Sequence, residues 1–121
     1  MIQFHPNPPA EGLSSDCTIV GDLVFTTQIP VDDNDVMPEG IGAQAALVLE
    51  QTRKTLESVG STMADVAHLT IYLTDIGHRA VFNKSYAQAF QPPYPVRAAI
   101  GIDQLARPGM LVEVTAIAAR R

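Results

Sequence analysis

The chain has a single cysteine, and this shortage excludes a disulfide framework. Cys17 has no second thiol within the chain with which to form a bridge. It opens a short apolar segment, where a buried, inert thiol is far more common than a nucleophile. No segment has the pattern of a signal peptide or the length of a membrane span. These absences predict a cytoplasmic protein with no membrane partner.

Positive charge and metal ligands are also scarce. The chain has 8 Lys and Arg against 13 Asp and Glu, which gives a formal net charge of −5. An acidic chain repels phosphate backbones, so this balance argues against nucleic acid as a partner. The three histidines, His5, His68 and His78, are far apart and have no acidic or thiol ligand at a metal-binding spacing. We therefore expect no metal site.

The amino-acid composition is typical of a globular protein and slightly more apolar than average. Hydrophobic residues make up 46% of the 121 residues and charged residues 17%. This length predicts one domain over residues 1–121 with one modest core. The apolar tilt predicts that other subunits cover part of the surface. Residues 1–15, rich in proline, are predicted to form a non-helical arm that becomes ordered on a partner surface.

Hydrophobic periodicity predicts the elements that follow the arm. Two strands are separated by the turn signal Gly21-Asp22. Apolar side chains recur every three or four residues between 41 and 59, as on one face of a helix. A strand at Val66–Leu73 leads to a second helix from about residue 77 to residue 90, and two strands follow. The order β-β-α-β-α-β-β predicts an α+β fold in which a small mixed sheet carries two helices on one face.

One arginine interrupts the first of the two C-terminal strands. Alternation puts Arg97, Ala99 and Gly101 on one face of this strand, so small residues surround the charge. A guanidinium removed from water without a partner is unfavourable by several kcal/mol. Its planar donors suit bidentate capture of a carboxylate. A surface or interface salt bridge is the alternative that this strand leaves open.

One carboxylate interrupts the last strand in the same way. Glu113 shares its face with Leu111, Thr115 and Ile117. Partly apolar surroundings raise the pKa of a carboxyl group and suit it to activating water, whereas a nearby arginine lowers that pKa. Arg97 and Glu113 either line one cleft as substrate clamp and general acid/base, or pair as a structural ion bridge. The sequence leaves both arrangements open.

The segments that carry these charges resemble the Rid family, the reactive intermediate deaminases that are also called the YjgF family. Pro95-Val96-Arg97-Ala98 is similar to the family's Pro-small-Arg-small segment, and Leu105 follows at the expected interval. Residues 112–118 resemble the family's aliphatic-Glu-aliphatic ending. Three weaker matches, at residues 21–30, 66–75 and 82–86, occur in the family's order. The resemblance therefore covers nearly the whole chain.

The resemblance implies an activity and an assembly. Rid proteins with this arginine hydrolyse reactive enamines and imines, such as 2-aminoacrylate and its imine tautomer, to 2-keto acids and ammonia, without a cofactor. By this resemblance Arg97 holds the substrate carboxylate, and Glu113 positions the attacking water and passes its proton to the leaving nitrogen. It also implies a homotrimer whose open sheet faces form a central barrel, with clefts between neighbouring subunits.

By the same resemblance, five further residues occupy positions that line the family's site, and two of them match the family. Asn83 matches an asparagine, and Tyr94 matches an aromatic residue before the Pro-x-Arg segment. Three residues differ from the family: Ser14 replaces a tyrosine that usually reaches a neighbour's site, Thr27 replaces a glycine, and Ala99 replaces a frequent cysteine.

The loss of the tyrosine at Ser14 predicts a larger or wetter pocket, which suits a larger substrate such as an aminomuconate-type enamine. A non-catalytic trimeric module that binds a small carboxylate or a partner protein is the alternative function. The change at Ser14 favours that alternative, and the presence of both Arg97 and Glu113 favours the enzyme.

Overall fold

The computed structural model describes residues 1–6 and 12–121. Over these residues the chain forms six strands and two α-helices. In chain order they are β1 (Ile2–His5), β2 (Cys17–Val20), β3 (Leu23–Gln28), α1 (Ile41–Ser58), β4 (Val66–Leu73), α2 (Arg79–Ala89), β5 (Val96–Gly101) and β6 (Val112–Ala119). Single turns of 3-10 helix at Met63–Asp65 and Ile76–His78 precede β4 and α2.

The strands form one mixed sheet in the order β1-β2-β3-β6-β4-β5. Neighbouring strands are antiparallel except β4 and β5, which are parallel and joined through α2. Parallel neighbours need such a crossover connection, because the chain must return to the starting edge of the sheet before the second strand can run in the same direction. The last strand, β6, is therefore central in the sheet, and β5 lies at an edge.

Both helices cover one face of the sheet. Alternate residues of β6 point beneath the helices and are fully buried, as strand periodicity requires. They pack with apolar side chains of α1, β4 and α2. The core includes Leu56, Leu69, Ile71, Phe82, Val112, Val114, Ala116 and Ala118. Burial of this apolar surface, at about 25 cal/mol per Å² removed from water, is the main force that holds the layers together.

The predicted mixed sheet with two helices on one face is confirmed, but the predicted number of strands was too low. The described residues of the arm, 1–6 and 12–15, are non-helical, as expected, and Ile2–His5 form β1 on the edge of β2. The surface that orders this part of the arm is thus the chain's own sheet, because main-chain pairing satisfies its backbone polar groups. Pro8 and Pro9 lie outside the described residues.

The second face of the sheet carries no helix in the part of the chain that the structure describes. Apolar and polar side chains alternate across it with partial exposure to water. We call this surface the open face, and it includes Phe4, Phe25, Thr27, Tyr72, Val96, Ile100, Glu113, Thr115 and Ile117. None of the described helices is both long enough and apolar enough to cross a membrane.

Candidate functional site

Arg97 lies on the edge strand β5, on the face that α2 covers. The parallel register places it beside the buried Leu69. Its Nη2 donates a hydrogen bond of 2.7 Å to Oδ1 of Asn83. Its guanidinium carbon lies 4.4 Å from the centroid of the Tyr86 ring, within the range of a cation–π contact. Two side chains of α2 therefore hold the guanidinium.

The positive charge of Arg97 has no carboxylate partner among the described residues. No Asp or Glu oxygen of residues 1–6 and 12–121 forms an ion pair with it at 4.0 Å or less. Its Nη1 atom is buried and has no hydrogen-bond partner there. Asn83 is neutral, and the Tyr86 ring offers only the negative face of its π system. A half-buried cation with neutral partners favours the approach of an anion.

Tyr86 is the centre of an aromatic cluster around this cation. Its ring stacks on Phe90 at a centroid separation of 4.6 Å and lies 5.9 Å from Tyr94. Burial raises the pKa of the Tyr86 hydroxyl, and the charge of Arg97 opposes that rise. Tyr94 is exposed at the rim of this cluster, two residues before β5 begins.

Four predicted site residues are thus brought together. Arg97, Asn83 and Tyr94 surround Tyr86, and the half-buried Ala99 follows Arg97 on the same face of β5. Sequence reasoning missed Tyr86 because an aromatic residue at helical spacing from Phe82 and Phe90 is typical of a core position. Its spacing of three residues from Asn83 on α2 was the available signal.

Glu113 lies on β6 and belongs to the open face. Its register partner on β4 is Tyr72, and burial raises its pKa above the ordinary value of 4.5. The faces that alternation predicted for Arg97 and Glu113 are confirmed. Leu69 on β4 has Arg97 on β5 and Ala116 on β6 as its register partners, so these three side chains share the face that the helices cover. Glu113 is three residues from Ala116 on β6, so alternation puts its side chain on the opposite face of the sheet. Within one chain the two charges neither pair nor line a common cleft.

Ser14 and Thr27 line a second region, a cavity of about 800 Å³. Thr27 lies on β3, and its hydroxyl is 3.1 Å from the hydroxyl of Thr115 in a hydrogen bond across to β6. Thr26 donates a 2.6 Å hydrogen bond to the carbonyl of Asp16, which fixes the segment after Ser14 against β3. This second region contains neither Arg97 nor Asn83, but Thr115 is two residues from Glu113 on the open face.

This geometry defines a small α+β domain that holds an arginine at the edge of its sheet, with no carboxylate partner for it among residues 1–6 and 12–121. The chain belongs to the family described as Endoribonuclease L-PSP, whose profile matches residues 5–120. The family is also known as YjgF, RutC or Rid, so the predicted membership is confirmed. Among the described residues, no group of three or more His, Cys, Asp and Glu side chains is arranged to hold a metal ion.

Curated relatives and solved structures agree with this assignment. A RutC family protein of Saccharolobus solfataricus is 35% identical over 102 residues, which cover 82% of this chain and 80% of that protein. The crystal structure of RidA from an Antarctic Psychrobacter is 32% identical, with a TM-score of 0.85 and coverage of 92% of both chains. The structure of Escherichia coli TdcF with bound serine is 30% identical, with a TM-score of 0.85 and coverage of 93% of this chain and 92% of TdcF.

Proposed function

We propose that this protein is a hydrolytic deaminase of reactive enamine and imine acids that releases 2-keto acids and ammonia. The observation that carries the proposal is Arg97, a half-buried cation that two neutral side chains hold and no carboxylate of the described residues neutralises. A substrate carboxylate supplies the missing charge, and a bidentate contact orients the adjacent C=N bond. Family membership and the likeness to RidA support the same class of reaction.

Glu113 supplies the acid/base chemistry in this proposal. Water adds to the imine carbon, and the nitrogen leaves as ammonia after it has gained protons. A carboxylate of raised pKa takes a proton from the attacking water and returns it to the departing nitrogen. The imine carbon is already electrophilic, so orientation and charge stabilisation supply most of the acceleration.

The proposed site lies between subunits of a homotrimer. Arg97 and Glu113 of one chain lie on opposite faces of the sheet, so they meet at one substrate only across a subunit boundary. In this arrangement Arg97, Asn83, Tyr94 and Ala99 form one wall of the cleft. Glu113, Ser14 and Thr27 of a neighbouring subunit form the other wall. Packing of the open faces around a common axis brings the two walls together.

A carboxylate-binding module is the second candidate function. The separation of Arg97 from Glu113 within the chain favours it, because a binder needs the cation alone. TdcF, which is similar to this chain, has been crystallised with serine, a small molecule that carries a carboxylate. By that likeness, an amino acid or keto acid is the expected ligand of such a module.

The rate of hydrolysis of freshly generated 2-imino acids of increasing size tests the proposal, with semicarbazide trapping as the measure of remaining imine. We expect acceleration by the purified protein. Arg97→Ala should lower kcat/KM by about 10- to 100-fold or more, because a hydrogen bond to a charged group contributes about 1.5–3 kcal/mol. Arg79→Ala removes an exposed arginine at the start of α2 and should leave the rate unchanged.

Two outcomes would contradict the proposal. Full activity in Arg97→Ala would remove the role of Arg97 as carboxylate clamp. No acceleration with any imine, combined with binding of serine or a 2-keto acid that needs Arg97, would establish the binding module instead.

A further inference from the structure

We propose that Tyr86 is a positioning residue: its ring, together with the amide oxygen of Asn83, fixes the Arg97 guanidinium before the substrate arrives. The inference rests on the proposed role of Arg97 as the clamp for the substrate carboxylate. It also gives Asn83 a different role from the substrate contact that the sequence predicted, since its amide oxygen accepts a hydrogen bond from Arg97.

The two contacts restrict different motions of the guanidinium. Asn83 accepts a hydrogen bond from Nη2 at 2.7 Å, and this bond limits rotation of the group within its own plane. The Tyr86 ring lies 4.4 Å from the guanidinium carbon and limits its tilt. Both residues are on α2, three positions apart, so one helical face supplies both contacts.

Tyr86 can hold the cation in place because the ring itself cannot move freely. The residue is 7% exposed, and its ring stacks on Phe90 at 4.6 Å with an angle of 28° between the planes. The Phe82 ring is 6.4 Å away on the preceding turn of α2. An arginine side chain in solution samples many rotamers, and a cation held in advance loses less freedom when the carboxylate binds.

The structure separates the role of the ring from that of the hydroxyl. Tyr86 Oη is buried and has no hydrogen-bond partner among the described residues. Tyr86→Phe therefore keeps the ring over Arg97 and breaks no described hydrogen bond. Tyr86→Leu removes the ring and keeps an apolar side chain in its place. A comparison of the two variants isolates the contribution of the π face to the site.

The test is a double-mutant cycle between Tyr86 and Arg97, read as KM and kcat for a 2-imino acid. Tyr86→Phe should stay within about twofold of the wild type, whereas Tyr86→Leu should raise KM about 2- to 30-fold, the range expected for a cation–π contact. In an Arg97→Gln background, Tyr86→Leu should have little further effect, because no cation is left for the ring to hold. A purely structural role of Tyr86 would leave the loss from Tyr86→Leu unchanged in that background and would overturn the inference.

Asn83 provides a second pair of variants if Tyr86→Leu does not fold. Asn83→Ala removes the hydrogen bond to Nη2 and should raise KM. Asn83→Asp has nearly the same shape but places a carboxylate against Arg97, so it should raise KM further by neutralising the cation. An Asn83→Asp variant with the wild-type KM would overturn the inference, because the guanidinium would then be held in another way.

The outcomes distinguish this inference from the proposed function. If Arg97→Ala is inactive but Tyr86→Leu and Tyr86→Phe share the wild-type KM, only the positioning role fails. If no imine is hydrolysed, the same variants are compared by calorimetry for binding of 2-oxobutanoate, a 2-keto acid. The positioning role then predicts that Tyr86→Leu weakens binding of 2-oxobutanoate and that Tyr86→Phe does not. Equal affinities of Tyr86→Leu and the wild type would overturn the inference, and so would a lack of binding by the wild type.

Discussion

At the scale of single residues, the two charges within apolar strands have different surroundings. Arg97 lies beneath α2 with neutral contacts, and this arrangement leaves its charge available to an anion. Glu113 lies on the open face beside Tyr72, where partial burial disfavours its ionised form and raises its pKa. Neither charge neutralises the other within one chain, so both remain available for substrate chemistry.

The raised pKa of Glu113 predicts the pH dependence of the proposed reaction. A general base must be ionised, so kcat/KM should rise with pH through the pKa of Glu113, which lies above 4.5, and level off at higher pH. Glu113→Gln should lower kcat by about 10²- to 10⁴-fold and abolish this rise. The measurement is kcat/KM from pH 4 to pH 8.

Glu57→Gln is the matched control for this experiment. Glu57 is exposed on α1, where it pairs with Arg53, so its replacement should change neither the rate nor the pH profile. If Glu113→Gln retains both the rate and the acid limb, the water is activated by another group.

At the scale of elements, one buried amide connects α1 to the C-terminal part of the chain. Gln44 Nε2 donates to the carbonyls of Pro38 at 3.0 Å and Gly109 at 2.8 Å. Its Oε1 accepts a hydrogen bond of 2.8 Å from the backbone N–H of Leu111, just before β6. The amide therefore fixes the loop that leads into the strand of Glu113.

Replacement of this amide should destabilise the fold. Gln44→Leu leaves two carbonyls and one N–H without their partner, and we expect a loss of about 2–4 kcal/mol in the free energy of unfolding. Urea denaturation at a fixed protein concentration measures it. Gln51→Leu is the control, because Gln51 is only half-buried and makes one short backbone contact, at 2.7 Å to Val31. Equal losses in the two variants would mean that the Gln44 network adds nothing specific.

The elements with a strong local period could be predicted from the sequence. The strand Val66–Leu73 has the predicted bounds, and the first helix ends at Ser58, one residue before the predicted end. The 3.6- and 2-residue periods report burial directly. β1 escaped prediction because its four residues do not alternate in burial, and its stability comes from main-chain pairing with β2.

The arrangement of the candidate site could be predicted only in part. Alternation correctly gave the two faces of β5 and β6. It could not give the position of β6 between β3 and β4, which places Arg97 and Glu113 on opposite faces, because strand order depends on contacts distant in sequence. The proposed role of Tyr86 could not be predicted either, since an aromatic residue that packs in the core and one that contacts a cation have the same helical spacing in the sequence.

At the scale of the whole molecule, the sheet is covered on one face only. Val96 is 67% exposed and Ile100 40% exposed on the open face of the edge strand β5. Apolar side chains that remain in water at the surface of a sheet mark a surface that another molecule covers. In the proposed homotrimer, these side chains are buried between subunits, and the same packing joins the two walls of the cleft.

Charges introduced on the open face should therefore dissociate the proposed trimer and abolish the proposed activity together. The double variant Val96→Glu/Ile100→Glu places two carboxylates where the subunits are proposed to pack, and burial of unpaired charge is strongly unfavourable. Sedimentation should show a monomer with the secondary structure of the wild type, because both side chains face away from the core. Val36→Glu, at a loop residue that is 57% exposed, should leave mass and activity unchanged.

The combination of mass and activity decides how the site is built. Arg97 and Glu113 of one chain cannot reach a common substrate from opposite faces of the sheet, so a dissociated monomer should be inactive although it retains both residues. An active monomer would place the whole site within one chain and remove the role of Glu113 opposite Arg97. An unchanged oligomer would show instead that the open face is not the interface, and the cleft would then have to form at the edge of β5 alone.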